Sequence, residues 1–137
     1  MMEPGQIIGL DVGMRKTGIA RASSVARLAE PLEAVPTDEV FNALKKLDSD
    51  QPLEAIVIGL PRGLNGQETD QTDWVRQWTD HAKKQLKTPF YWQDEALTSK
   101  LAAAQQTAKK PIDEDALAAA IILQDFLETP ESDRALC

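Results

Sequence analysis

Ile7 to Val12 is apolar and β-branched, the turn-forming stretch Gly13 to Lys16 follows, and Thr17 to Ala22 resumes the pattern, which predicts a β-hairpin. A third extended segment is expected around Val25 to Leu32, where no helical stripe develops and Pro31 and Pro36 close the run. From Thr37, a good N-cap residue, Val40, Phe41, Leu44 and Leu47 recur at helical spacing and predict an amphipathic helix ending near Asp48. Ala55 to Pro61 is a continuous apolar run, the pattern of a strand covered on both faces in a mostly parallel sheet. Gly63 and the Asn65-Gly66 pair place a loop over Arg62 to Gln67, after which Thr69 or Asp70 caps a helix with the stripe Trp74, Val75, Trp78, Ala82 and Leu86. Phe90 to Gln93 reads as a short strand, a short helix is expected from about Thr98, and Gln105 to Lys110 reads as a polar loop. Pro111-Ile112-Asp113 opens a last helix running to about Glu128. It is nearly apolar from Ala116 to Leu123, so burial is expected, its alanines letting the backbone come close to a sheet. The tail after Thr129 lacks such a pattern and is expected to fray. Hairpin, helix, strand, helix, strand and terminal helices together predict an α/β fold, a mixed sheet with helices on both faces.

Composition narrows the function classes. A chain of 137 residues fits one domain, 1–137, with an ordered core over about 6–128. No apolar stretch approaches the ~20 residues that span a bilayer, and Met1 to Gly5 has neither a cationic nor an apolar leader region, so a cytoplasmic location is expected. The lone Cys137 can form no internal disulfide, and His81 is the only histidine, which removes most Ser-His-Asp, Cys-His and His-ligated metal chemistries. A net charge of −7 argues against indiscriminate coating of nucleic acid. It does not exclude a nuclease, because acids crowd from Asp113 onward while Arg15, Lys16, Arg21 and Arg27 cluster early, and divalent cations offset carboxylates at a site.

Three carboxylates occupy positions where burial is expected: Asp11 near the end of an apolar strand, Glu95 just after Phe90 to Asp94, and Asp115 in the first turn of the apolar helix. Buried unpaired carboxylates are costly, so their convergence would call for protonation or a cation. Mg²⁺ takes oxygen ligands and needs no histidine, and paired ions ~4 Å apart activate water in phosphodiester cleavage. Each acid also has an ordinary reading: Asp11 with Gly13 can start a turn, Glu95 can be a solvated strand end, and Asp113 or Asp115 can cap a helix. Residue patterns alone give a candidate acidic site and no more.

The string Ile8-Gly9-Leu10-Asp11-Val12-Gly13-Met14-Arg15-Lys16-Thr17-Gly18-Ile19-Ala20 resembles the opening strand-turn-strand of the YqgF/RuvX family. Val57 to Pro61 with Asn65-Gly66, Asp94-Glu95 with Leu97-Thr98, and Asp115 with Ala118-Ala119 and Ile121 to Leu123 resemble its later motifs, in order, from about Gln6 to Glu128. Actin-like ATPases and sugar kinases share the Asp-x-Gly start, but they clamp nucleotide between two related domains and this chain has room for one. The resemblance implies an RNase H-like fold, Asp11, Glu95 and Asp115 as metal-binding catalytic acids, and Mg²⁺ or Mn²⁺ as cofactor. It also implies a nucleic-acid substrate, with 5′-end maturation of pre-16S rRNA favoured and Holliday junction resolution as the alternative; the sequence leaves both a monomer and a homodimer open. Where the family carries Asp-Glu-Arg this chain has Asp94-Glu95-Ala96, which leaves a non-catalytic nucleic-acid-binding or ribosome-assembly role as a further alternative. The segment between Glu95 and Asp115 is also shorter than in the family. Arg15, Lys16, Arg62, Lys100, Lys109 and Lys110 are candidate phosphate contacts, with a solvated lysine-bearing loop as the ordinary reading of the last three.

Overall fold

A computed structural model describes residues 4–63, 65–95, 103, 104, 106 and 112–137. Among these residues, six strands form one sheet in the order β3-β2-β1-β4-β5-β6. β1 (Gln6–Val12), β2 (Lys16–Ser23) and β3 (Glu30–Pro36) make an antiparallel meander, while β4 (Leu53–Leu60) and β5 (Phe90–Asp94) add parallel to β1. α1 (Val40–Asp50) and α2 (Asp70–Gln85) supply the crossovers, and α3 (Glu114–Glu128) follows β5. The sheet is mixed with helices on both faces, as the sequence predicts. The strand period of two sorts the side chains. Ile8, Leu10, Ile56 and Ile58 pack with Val40 and Leu44 of α1 and Val75 and Ala82 of α2, while Ile7, Ala20 and Val57 pack with Ala119, Ile122, Leu123 and Phe126 of α3. Gly9 and the α3 alanines let that helix lie close: a Cβ on Gly9 would sit 2.8 Å from the Ala119 carbonyl oxygen. In the α2 stripe Val75 and Ala82 are buried and Trp74, Trp78 and Leu86 half-buried.

Three expectations change. The third strand lies at Glu30–Pro36, beyond the expected Val25 to Leu32. Ser23 Oγ accepts from the amides of Val25 and Ala26, and Arg27 takes a left-handed φ of 59°, so this stretch is a turn that leaves Val25 and Leu28 exposed. Thr37 is not the cap of α1. It opens a 3-10 turn, Thr37–Glu39, and its hydroxyl donates to the Gly13 carbonyl instead, so α1 starts at Val40 and runs to Asp50 rather than Asp48. The tail is not frayed: after a 3-10 turn at Glu131–Asp133, Ala135–Leu136 forms β6 antiparallel to β5, and the Cys137 amide donates to the Phe90 carbonyl at 2.8 Å. The open edge of β5 offers the unpaired backbone groups that this short segment satisfies. Of the helix expected from Thr98 and the loop from Gln105 to Lys110, only Ala103, Ala104 and Gln106 are described, and all three are helical.

Candidate active site

Because β1, β4 and β5 run parallel, their carboxyl ends share one edge of the sheet, and two of the expected acids lie there: Asp11 next to last in β1 and Glu95 directly after β5. β4 lies between them, and strands two apart are separated by about 10 Å. Gly59 of β4 removes the obstacle. A Cβ built on it would fall 2.8 Å from Glu95 Oε1 and would overlap Ile122 of α3, so the glutamate arm occupies the space of a missing side chain. The Glu95 amide, donating to the Leu60 carbonyl at 3.2 Å, fixes the base of that arm. Glu95 and Asp11 meet in a side-chain hydrogen bond.

Asp115 arrives from the other side. Gly18 of β2 pairs with Asp11 across the hairpin, and a methyl group on it would overlap the Asp115 carbonyl, so only glycine lets the first turn of α3 settle there. Asp113 is the cap of this helix, its Oδ1 accepting from the amides of Asp115 and Ala116 at 2.9 and 3.1 Å. Asp115 is therefore not consumed in capping. Asp11 thus sits between two glycine gaps, each admitting one further acid. Single glycines inside apolar strands are a sequence signal of close approach, and Gly18 and Gly59 are the positions that reading the acids alone misses.

Burial pushes the Asp11 carboxyl above its ordinary value, the hydrogen bond from Glu95 opposes this, and the nearby Asp115 charge adds to the rise. Burial, then the Asp11 charge and the shared hydrogen bond, push Glu95 up to about 8. A carboxyl pair in contact therefore holds a proton near neutrality, because burial and mutual repulsion disfavour two adjacent charges. Among the described residues no three acid, histidine or cysteine side chains stand close enough together to hold a metal ion as they lie. The donor set nonetheless suits a hard divalent cation: two carboxyls in contact, with a third close enough to be felt.

The candidate cations are less uniform. Arg15 and Lys16 are exposed on the β1–β2 turn, which the Thr37 amide and hydroxyl tie down through the Arg15 and Gly13 carbonyls. Arg62 is held by Asp94 at 3.2 Å and Glu68 at 3.5 Å, beside Glu95 but already engaged by acids. Lys100, Lys109 and Lys110, like Ala96, lie outside the described residues. His81 is exposed against Phe41, and burial pushes the Cys137 thiol up to about 12, so neither adds a reactive group.

The family described as "RuvX: Holliday junction resolvase" matches residues 5–129. The chain belongs to the RuvX family. Among its relatives, a protein of Roseiflexus sp. (strain RS-1) is 35% identical over 136 residues, covering 93% of this chain and 96% of the relative. One of Sulfurihydrogenibium sp. (strain YO3AOP1) is 35% identical over 130 residues, 90% of each chain. Both carry the name "Putative pre-16S rRNA nuclease". RuvX members thus bear nuclease names. The fold agrees: Thermus thermophilus RuvC superposes with a TM-score of 0.63 at 14% identity over 96% of this chain and 99% of the other. RuvC of the same organism in complex with a Holliday junction substrate gives 0.61 at 14% identity over 97% and 99%. This is the RNase H-like fold expected of a RuvX chain.

Proposed function

We propose that the chain is a divalent-metal-dependent nuclease that hydrolyses phosphodiester bonds of structured nucleic acid, with 5′-end maturation of pre-16S rRNA as its task. The observation that carries this reading is the contact of Asp11 and Glu95 across Gly59, with Asp115 near enough to raise the Asp11 carboxyl. Asp11, Glu95 and Asp115 would hold Mg²⁺ or Mn²⁺. Such a cation supplies positive charge against the phosphate and lets water attack phosphorus at neutral pH. The carboxylates would keep the cation fixed relative to the sheet edge, and the half-buried setting of Asp11 and Glu95 would strengthen their hold on it. Arg15 and Lys16, exposed where β1 turns into β2, would contact substrate phosphates, with Arg62 a weaker contact because acids already engage it. Lys100, Lys109 and Lys110 remain candidate contacts.

The rRNA task is favoured by the names of the two relatives, and the family description favours junction resolution as the second reading. Among the described residues no helix is long and apolar enough to cross a membrane, and we place the activity in the cytoplasm with the rRNA. Cleavage of a pre-16S rRNA fragment and of a four-way DNA junction, side by side with Mg²⁺ or Mn²⁺, tests the reading. Cleavage of the RNA by the wild type and not by Asp11→Asn is expected; equal cleavage by both proteins would overturn the site, and cleavage of the junction alone would overturn the substrate.

A further inference from the structure

Beside the β1–β2 turn lies an open hollow of about 480 Å³, lined by Met14, Arg15, Thr37, Asp38, Phe41 and Trp78. Phe41 and Trp78 stack with centroids 5.8 Å apart and planes within 3°, and both rings are half-buried. Met14 stands 70% exposed, an apolar side chain with no core to fill. Arg15 is exposed and makes no ion pair among the described residues. The walls are fixed to each other, because Thr37 bonds to the Gly13 carbonyl at 2.5 Å and to the Arg15 carbonyl at 2.9 Å, locking the turn to the start of α1. A half-exposed aromatic pair, a soft thioether and a guanidinium with no ion pair among the described residues, beside a single acid, Asp38, suit a π-face with an attached anion, which is the chemistry of a nucleotide.

Position selects the kind of nucleotide. The hollow belongs to the α1 and α2 face of the sheet, whereas Asp11, alternating with Leu10 and Val12 along β1, belongs to the α3 face, and the β1–β2 turn links them. Met14 follows Asp11 by three residues, about 10 Å of extended chain. A strand that reaches both must bend over the sheet edge past Arg15 and Lys16 within that length. A duplex, stiff over about 150 base pairs, resists so sharp a bend, and its paired bases are stacked away from side chains; an unpaired strand is free to do it. We propose that this hollow seats an unpaired nucleobase of the substrate, so that the preferred substrate carries a single-stranded flank next to the cleaved bond. The proposal rests on the nuclease reading and adds the substrate class.

The test uses full-length Asp11→Asn protein, which separates binding from cleavage, and RNA oligonucleotides with 2-aminopurine at successive positions of an unpaired flank. Quenching at one position within about three nucleotides of the bond cut by the wild type is expected, as the base stacks. Met14→Ser and Trp78→Leu should each remove that quenching and weaken binding of the flanked RNA about tenfold, leaving blunt duplex affinity unchanged, while Trp78→Phe keeps both. Met14 is exposed, so its variant reports even if Trp78→Leu unfolds. Wild-type quenching and affinity in folded Met14→Ser and Trp78→Leu proteins would overturn the hollow and leave the nuclease standing. Absence of metal-dependent cleavage by the wild type would overturn the nuclease instead.

Discussion

Asp11 and Glu95 retain a proton between them because burial and mutual repulsion disfavour two adjacent negative charges. Glu95 is raised from 4.5 to about 8 in the folded chain, so between those values the native protein binds more protons than the unfolded one. Its contribution to stability is fully present below about pH 4.5 and is lost as the pH rises through about 8. In metal-free buffer the melting temperature of wild type should therefore fall more steeply over that window than that of Glu95→Gln, a comparison that cancels the other titrating groups. Saturating Mn²⁺ should flatten the wild-type slope. Asp11→Asn should reduce cleavage by more than the 10- to 100-fold typical of outer-shell partners of a metal, while its melting temperature without metal stays level or rises; single-turnover assays and thermal melts check the two halves. The acids were legible in the sequence because each interrupts or abuts an apolar run. Their mutual arrangement was not, because it depends on Gly18 and Gly59, which lack the side chains that would block contact.

At the scale of elements, strands and helices were predictable where periodicity was strong, as in β4, α2 and α3. They shifted where a local hydrogen bond outweighed pattern. Thr37 looked like a cap and instead pins the hairpin turn; β3 began late because Ser23 and Arg27 make a turn of an apolar stretch. The tail strand was invisible to pattern because two residues show no period, and only the bare side of β5 gives them a partner. The packing of α3 is the most demanding contact. Gly18→Ala and Gly59→Ala should each destabilise by about 1–3 kcal/mol, as overpacked sites do, measured by urea unfolding. Gly59→Ala should also lower activity at temperatures where it remains folded, because the added methyl displaces the Glu95 arm; full activity there would contradict the reach of Glu95 across β4.

Over the whole molecule a net charge of −7 leaves few cations for nucleic acid, so affinity should rest on a small set of phosphate contacts and on divalent metal. Binding measured against monovalent salt should give a shallow slope, and Arg15→Ala or Lys16→Ala should each reduce it by about one unit for a duplex portion of the substrate. The two margins of the sheet are protected differently. β3 carries Pro31 and Pro36, which cannot donate, whereas β5 is covered by the short segment from Ala135 to Cys137. That segment covers the ribbon of Phe90, Tyr91 and Trp92, which would otherwise be open to the same ribbon of a second copy. Clipping that segment away would open the edge to strand addition between molecules, and light scattering of a chain shortened after Arg134, compared with the full chain, would register the growth.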